Sequence, residues 1–137
     1  MTIQEVAKLM GISQSAIRYY DHQQLLPSVK RDKYNNRVFT ENDLAWIKMV
    51  ITLRELGMPV PTIREYVQLS AEGKQTLRQQ LKIMTDEQER ILAELEKVQG
   101  HYIMINHWIN HYVDVLVDPN LDKFPQGIDP TFPDHLK

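Results

Sequence analysis

Apolar positions near the start of the chain recur at intervals of three and four residues, in two short blocks. This period is that of an amphipathic helix, so it predicts helices over residues 3–10 and 14–22. Thr2 begins a capping-box pattern, and Ser13 is suited to cap the second helix. Gly11 ends the first helix, and the short turn that follows predicts a helix-turn-helix.

The next stretch has the pattern of a hairpin. Residues Val29 to Arg31 and Arg37 to Phe39 can form two short strands around Asn35-Asn36, a pair that tolerates positive φ. Four basic side chains crowd this segment: Lys30, Arg31, Lys33 and Arg37. The sequence therefore predicts a projecting, positively charged wing.

Two further helices complete the predicted first domain. Thr40 with Asp43 begins a helix whose apolar residues lie on more than one side, as in a helix that fills a core. Gly57 ends it, and another short helix follows before Gly73 closes the unit. We therefore expect a winged helix-turn-helix domain over residues 1–70.

Beyond Gly73 the hydrophobic period changes to 3.5 residues and persists for more than five heptads, which is typical of a coiled coil. The heptad positions are Leu77, Leu81, Met84, Gln88, Ile91, Leu95, Val98, Tyr102, Ile105, Ile109, Tyr112 and Leu116. A single helix of this kind leaves its seam in water, so the pattern predicts a homodimer through the 74–116 helix. The fold class is mainly α, with a coiled-coil dimerisation helix over residues 71–118.

The final segment, residues 119–137, contains four of the seven prolines and is expected to be a short Pro-rich tail. It is too short for a separate effector domain. The apolar residues Phe124, Ile128 and Phe132 could anchor it, and a frayed end is the alternative.

Composition excludes several classes of protein. With 42% hydrophobic and 25% charged residues, the 137-residue chain is typical of a globular protein. It lacks a long apolar run and a signal-peptide pattern, so we expect a cytoplasmic protein with no membrane partner. The absence of cysteine excludes disulfides, thiolate metal sites and cysteine nucleophiles, and no cofactor is expected.

The net charge of −2 conceals an asymmetry along the chain. Residues 1–70 carry nine Lys and Arg against seven Asp and Glu, whereas residues 71–137 carry seven against eleven. A basic half joined to an acidic half can indicate a polyanion-binding module with a partner-binding extension.

Six motifs occur in order along the first domain: Thr2-Ile3-xx-Val6-Ala7, Gly11-Ile12-Ser13, Arg18-Tyr19-Tyr20, Leu25-Leu26-Pro27, Arg37-Val38-Phe39 and Leu53-Arg54-xx-Gly57-Met58. Together they resemble the MerR family of bacterial transcription regulators. Three further motifs resemble the small-protein branch that includes aldehyde-stress regulators: Trp46-Ile47, Gly57-Met58-Pro59 and Glu65-Tyr66-Val67. The heptads resemble the family's dimerisation helix, which pairs antiparallel, although heptad spacing does not itself decide orientation.

The resemblance implies that the second helix enters the major groove of DNA. Gln14 and Ser15 are then placed to reach base edges. Arg18 resembles the family's phosphate-contacting arginine, and a surface salt bridge with an acidic neighbour, Asp21 or Glu5, is the alternative. Tyr19 and Tyr20 flank it, one expected to face DNA and one to pack, with core packing as the alternative for both.

On the wing, the resemblance implies that Arg37 contacts phosphate and that Arg31 and Lys33 add salt-sensitive charge. Here the sequence departs from the family pattern. Family wings usually contain Gly-Tyr-Arg, whereas this chain has Asn35-Asn36-Arg37, so the aromatic wing contact is expected to be missing.

For function, the resemblance implies a dimer that binds double-stranded promoter DNA and distorts it, so that RNA polymerase is affected only indirectly. A coiled-coil adaptor with non-specific DNA binding is the alternative. No phosphate-cradling glycine loop, metal-ligand triad or paired-carboxylate motif indicates an enzyme.

The signal remains open among a small-molecule effector, a metal held by histidines, and no effector at all. His107 and His111 have the i, i+4 spacing of a metal pair, but they are only weak candidates, and exposed polar positions on a coiled coil are the favoured interpretation. Trp108 and Tyr112 could line an effector pocket, or they could pack the dimer interface.

Overall fold

Five helices and one two-stranded hairpin make up residues 1–122, which are the residues that the computed structural model describes. The elements are α1 (Ile3–Met10), α2 (Gln14–His22), β1 (Lys30–Arg31), β2 (Arg37–Val38), α3 (Glu41–Glu55), α4 (Val60–Glu72) and α5 (Leu77–Val117). Two short 3-10 turns, Lys74–Thr76 and Pro119–Leu121, flank α5. The expectation of a mainly α fold with a helix-turn-helix and a long C-terminal helix is confirmed.

Capping residues set the start of each of the first two helices and the end of the first. The Thr2 hydroxyl accepts a hydrogen bond from the Glu5 amide at 3.2 Å, and the Ser13 hydroxyl accepts one from the Ala16 amide at 3.0 Å. Gly11 ends α1 with a φ of 68°, a left-handed conformation that glycine adopts without strain. The bounds predicted for both helices, 3–10 and 14–22, are therefore those observed.

The hairpin pairs Lys30 with Val38 and Arg31 with Arg37 in antiparallel register. Each strand has two residues, one fewer than the sequence predicted, because Phe39 leaves the ladder and is buried in the core. Asn35 has a φ of 64°, as expected for a residue in the turn.

The hydrophobic core belongs to the compact unit Met1–Glu87. Each of α1 to α4 contributes to it, and its most deeply buried side chains, all at most 2% exposed, are Val6, Ile17, Leu25, Phe39, Ile47, Val50, Met58, Ile63 and Val67. The first turns of α5 belong to the same cluster, where Ile83 is buried and Met84 packs against it. The unit therefore continues into α5, and the domain division at residue 70 remains a prediction.

The heptad residues of α5 are largely uncovered in a single chain. Ten of the twelve are large apolar side chains that are at least 39% exposed, whereas Met84 packs on the core. No helix within residues 1–122 has the length and apolarity that crossing a membrane requires. The proposed tail anchors Phe124, Ile128 and Phe132 lie outside the described residues.

Asp43 connects the start of α3 to the segment that precedes the hairpin. Its carboxylate accepts hydrogen bonds from the Thr40 amide at 2.8 Å and the Thr40 hydroxyl at 3.1 Å, which completes the predicted capping box. Its second oxygen accepts a hydrogen bond from the Ser28 hydroxyl. Asp43 is only 1% exposed, so these bonds compensate the cost of burying a charge.

Replacement of Asp43 by Ala is expected to lower the free energy of unfolding by about 2–3 kcal/mol, because it removes a helix cap and leaves buried donors without an acceptor. Urea denaturation followed by circular dichroism measures the change. Glu41→Ala, an exposed substitution in the same helical turn, is the control and should cost about 0.5 kcal/mol or less. Equal losses in both variants would contradict the role assigned to Asp43.

Candidate nucleic-acid interface

The exposed face of α2 begins directly after its Ser13 cap. Ile17 points into the core and is fully buried, which turns Ser15 and Arg18 towards solvent. The Arg18 Nη2 donates a hydrogen bond to the Gln14 Oε1 at 3.1 Å, one helical turn away. Arg18 thus pairs with Gln14 and not with either of the acidic neighbours considered from the sequence. The bond orients two polar side chains together and leaves most of the guanidinium donors for another acceptor.

The two adjacent tyrosines differ in burial. Tyr19 is 46% exposed, whereas Tyr20 is half-buried and packs against the core. Their ring centroids lie 6.2 Å apart with the planes inclined at 57°. Tyr19 is therefore the more accessible ring and Tyr20 the one that packs on the core, and a DNA contact by either stays a prediction.

A residue that the sequence analysis missed secures the C-terminal end of α2. Arg64, on α4, donates from Nε to the Gln23 carbonyl oxygen and from Nη2 to the Gln23 Oε1, both at 2.7 Å. The partners are 41 residues apart along the chain, so no local pattern indicates the contact.

Arg37 is bound to α2. Its Nε donates to the Asp21 Oδ2 at 2.7 Å, and the two side chains are only 18% and 23% exposed. The sequence singled out Arg37 as a phosphate contact, and that role stays a prediction. The structure shows that the side chain already has a carboxylate partner on the helix beside the wing.

The tip of the hairpin is held by its own turn. The Asp32 Oδ1 accepts hydrogen bonds from the Tyr34 amide at 2.9 Å and the Asn36 amide at 3.0 Å. The Arg31 Nη1 donates to the Asn35 carbonyl oxygen at 2.7 Å and ties the strand to the turn. Although every one of these residues is exposed, the backbone of the turn is well specified.

Tyr34 places an aromatic ring on this tip, which the sequence analysis did not anticipate. The ring is 72% exposed, and the Lys33 Nζ lies 5.0 Å from its centroid. In the family pattern the aromatic residue comes immediately before Arg37, where Asn36 stands. The sequence does contain a signal for Tyr34, which lies within the basic run. A cation beside an aromatic ring suits nucleic-acid binding.

A cleft of about 760 Å³ separates the start of α1 and the start of α2 from the hairpin. Arg18, Arg31 and Arg37 all line it, together with the acidic residues Glu5 and Asp32. Arginine donors that converge on one cleft suit the phosphate oxygens of a polyanion. The structure thus brings together predicted site residues from two separate elements.

The residues on α5 that were predicted to bind a metal or an effector do not come together in one site. The His111 Nε2 lies 3.6 Å from an oxygen of Asp122, which is too long for a hydrogen bond. Within residues 1–122 no group of three or more His, Asp or Glu side chains is placed to hold a metal together, and a metal role for His107 and His111 stays a prediction. Trp108 lines a shallow apolar hollow of about 280 Å³ with His101, Met104 and Ile105, whereas Tyr112 is not part of it.

A family model and several known proteins match this chain. The family model for MerR HTH family regulatory protein matches residues 1–70. The HTH-type transcriptional regulator AdhR of Bacillus subtilis is 34% identical over 92 residues, covering 67% of this chain and 66% of AdhR. The HTH-type transcriptional regulator ZntR of Escherichia coli K12 is 31% identical over 108 residues, covering 76% of this chain and 77% of ZntR.

Among solved structures, a similar chain is that of HiNmlR, described as a MerR family regulator lacking the sensor domain, bound to promoter DNA. It is 25% identical, with a TM-score of 0.66, and the match covers 88% of this chain and 95% of HiNmlR. These similar proteins are transcriptional regulators.

The different burial of the two tyrosines leads to a direct test. Tyr20→Ala should lower the free energy of unfolding by about 2 kcal/mol because it removes a ring that packs on the core. Tyr19→Ala should change it by about 0.5 kcal/mol or less. Thermal and urea unfolding of both variants measures the difference, and a larger loss in Tyr19→Ala would contradict the assignment.

Proposed function

The chain belongs to the MerR family of helix-turn-helix regulatory proteins, and from that premise we propose that it binds a promoter site as a homodimer and regulates transcription there. The juxtaposition of α2 and the basic hairpin across one arginine-lined cleft carries the proposal. Family membership and the promoter-bound relative favour this function over a coiled-coil adaptor with only non-specific DNA binding.

In this function α2 lies in the major groove. Gln14 and Ser15 are at its N-terminal end and present the amide and hydroxyl groups that read base edges. Arg18 contacts a phosphate with the donors that Gln14 leaves unused, and Tyr19 lies beside it on the exposed face. Phosphate contacts fix the register of the helix, and base contacts give the sequence preference.

The wing supplies contacts to the sugar-phosphate backbone outside that groove. Arg31 and Lys33 contribute charge, and Tyr34 contributes an exposed ring with a hydroxyl donor. Since Asp32 fixes the turn, the tip binds without a large loss of conformational freedom. Tyr34 thus provides an aromatic contact from a different position in the wing than the family pattern suggests.

The exposed heptad residues support dimerisation through the 74–116 helix. A continuous row of Leu, Ile, Val and Tyr side chains in water is unfavourable, and a second copy of the same helix covers it symmetrically. The dimer presents two copies of α2, as required by a promoter site with two half-sites.

Regulation then acts through the DNA. We propose that the dimer distorts the promoter, so that RNA polymerase responds to the altered DNA and no direct contact with polymerase is needed. Such a regulator acts on the chromosome, in the cytoplasm.

Three alternatives remain for the signal: a small-molecule effector at the Trp108 hollow, a metal bound by histidines, or no effector. The apolar hollow favours the small-molecule effector.

Fluorescence anisotropy with DNA from upstream of its own gene, against a scrambled duplex at physiological salt, tests the DNA-binding function. The wild type should bind its own duplex about a thousandfold or more tightly than the scrambled one, as site-specific regulators do. Arg18→Ala should weaken binding and lower the slope of log K against log salt by about 1. Lys97→Ala, an exposed substitution on α5, is the control and should leave the slope unchanged.

Equal weak binding of the wild type to both duplexes, and to a library of genomic fragments, would support the adaptor instead. Preferential recovery of some fragments from the library would place the operator elsewhere in the genome and would still support the regulator.

The dimer proposal is tested by charges placed in the heptad seam. Leu95→Asp combined with Ile105→Asp should convert the dimer to a monomer in sedimentation equilibrium, because each carboxylate would be buried without a partner. Ala93→Asp, on the outer face of the same helix, should leave a dimer. A double variant that still sediments as a dimer would show that another surface holds the subunits together.

A further inference from the structure

The wing and α2 share one polar link. Within residues 1–122, the hydrogen-bonded ion pair between Arg37 and Asp21 is the only side-chain hydrogen bond or ion pair between α2 and the hairpin strands or turn. No backbone hydrogen bond joins them in that part of the chain either. Among polar contacts of the described residues, this pair is therefore the one that can fix the angle between the two elements.

Both elements have further anchors, each within two residues of the ion pair. Arg64 fixes the C-terminal end of α2 by its two bonds to Gln23. The base of the hairpin is fixed where the Phe39 amide donates to the Met1 carbonyl at 2.9 Å and the Met1 ammonium donates back at 2.8 Å. Beyond that base only the two-residue strands and the turn continue, and the side chain of Arg37 supplies their polar contact with α2.

The pair has the physical character of a structural contact. Both side chains are about four-fifths covered, so water and salt screen the attraction less than for a surface pair. Arg31 lies directly opposite Arg37 in the hairpin register, where two like charges repel each other. The Asp21 carboxylate compensates the charge of Arg37, whereas Arg31 donates a hydrogen bond to the carbonyl oxygen of Asn35 in the turn.

We propose that Arg37 is a positioning residue. Through Asp21 it holds the wing at the angle at which wing and recognition helix engage DNA together, and this role replaces the direct phosphate contact that the sequence suggested. The inference rests on the proposed DNA-binding function. It also assigns Asp21, an acidic residue beside a polyanion-binding cleft, to the DNA-binding machinery.

A phosphate contact by Arg37 and a positioning role for Arg37 predict opposite changes in DNA affinity for the variant Asp21→Ala. Removal of a carboxylate near DNA raises affinity when charge alone matters, because the repulsion from phosphate disappears. If Asp21 holds the wing, Asp21→Ala should instead weaken specific binding about tenfold, the scale of coupling between residues in direct contact. Glu5→Ala is the matched charge control, since Glu5 lines the same cleft, and it should raise affinity as removal of a carboxylate near phosphate does.

Three measurements on the full-length protein complete the test. Urea unfolding must show that Asp21→Ala is folded under the binding conditions. Hydroxyl-radical footprinting should show that it loses protection only at the nucleotides flanking the major-groove half-site, where the wing binds. The reversed pair, Asp21→Arg with Arg37→Asp, keeps the net charge and should restore affinity to within about threefold of the wild type.

Unchanged or increased affinity of Asp21→Ala, with wild-type protection, would overturn the proposal and return Arg37 to a phosphate contact. Failure of the reversed pair to recover any affinity, while it remains folded, would also count against it. If the wild type showed no preference for any DNA, the proposed function itself would fail, and that outcome is separate from these comparisons.

Discussion

A helix of nine residues has almost no stability of its own in water, because the cost of nucleation exceeds what so few hydrogen bonds return. The recognition helix α2 has this length, and its surface is mostly polar. It exists because Ser13 caps one end, Ile17 is inserted in the core and Arg64 holds the other end. The position of α2 therefore depends on the core of the Met1–Glu87 unit.

The wing, like α2, needs contacts with the rest of the unit to be stable, but different residues make them. A two-stranded hairpin with two residues per strand is too small to be stable alone. Its base is fixed by the burial of Phe39 and its turn by the Asp32 carboxylate. The surface between base and turn carries several basic side chains that repel one another in the absence of DNA. The Asp21 carboxylate on the neighbouring helix pairs with Arg37 and offsets part of this repulsion.

The sequence predicted those parts of the fold that depend on neighbours in the chain. Thr2, Gly11 and Ser13 act within a few residues of themselves, so the bounds of α1 and α2 could be predicted to the residue. The Arg37–Asp21 and Arg64–Gln23 contacts join residues 16 and 41 positions apart, and their geometry exists only after folding. Tyr34 was missed because the family pattern has its aromatic residue at one position of the wing, whereas the turn places the ring at another.

The exposed heptads of α5 complete the physical argument. A small module that bound DNA mainly through phosphate contacts would bind weakly and with little selectivity, since each such contact is salt-dependent and carries no sequence information. When two copies are linked, the second binding event becomes intramolecular, and affinity rises steeply without any new kind of contact. The apolar row from Ile91 to Leu116 would supply that link by hydrophobic burial, which salt does not screen. Apolar burial between two copies would thus add affinity that does not fall with salt as phosphate contacts do.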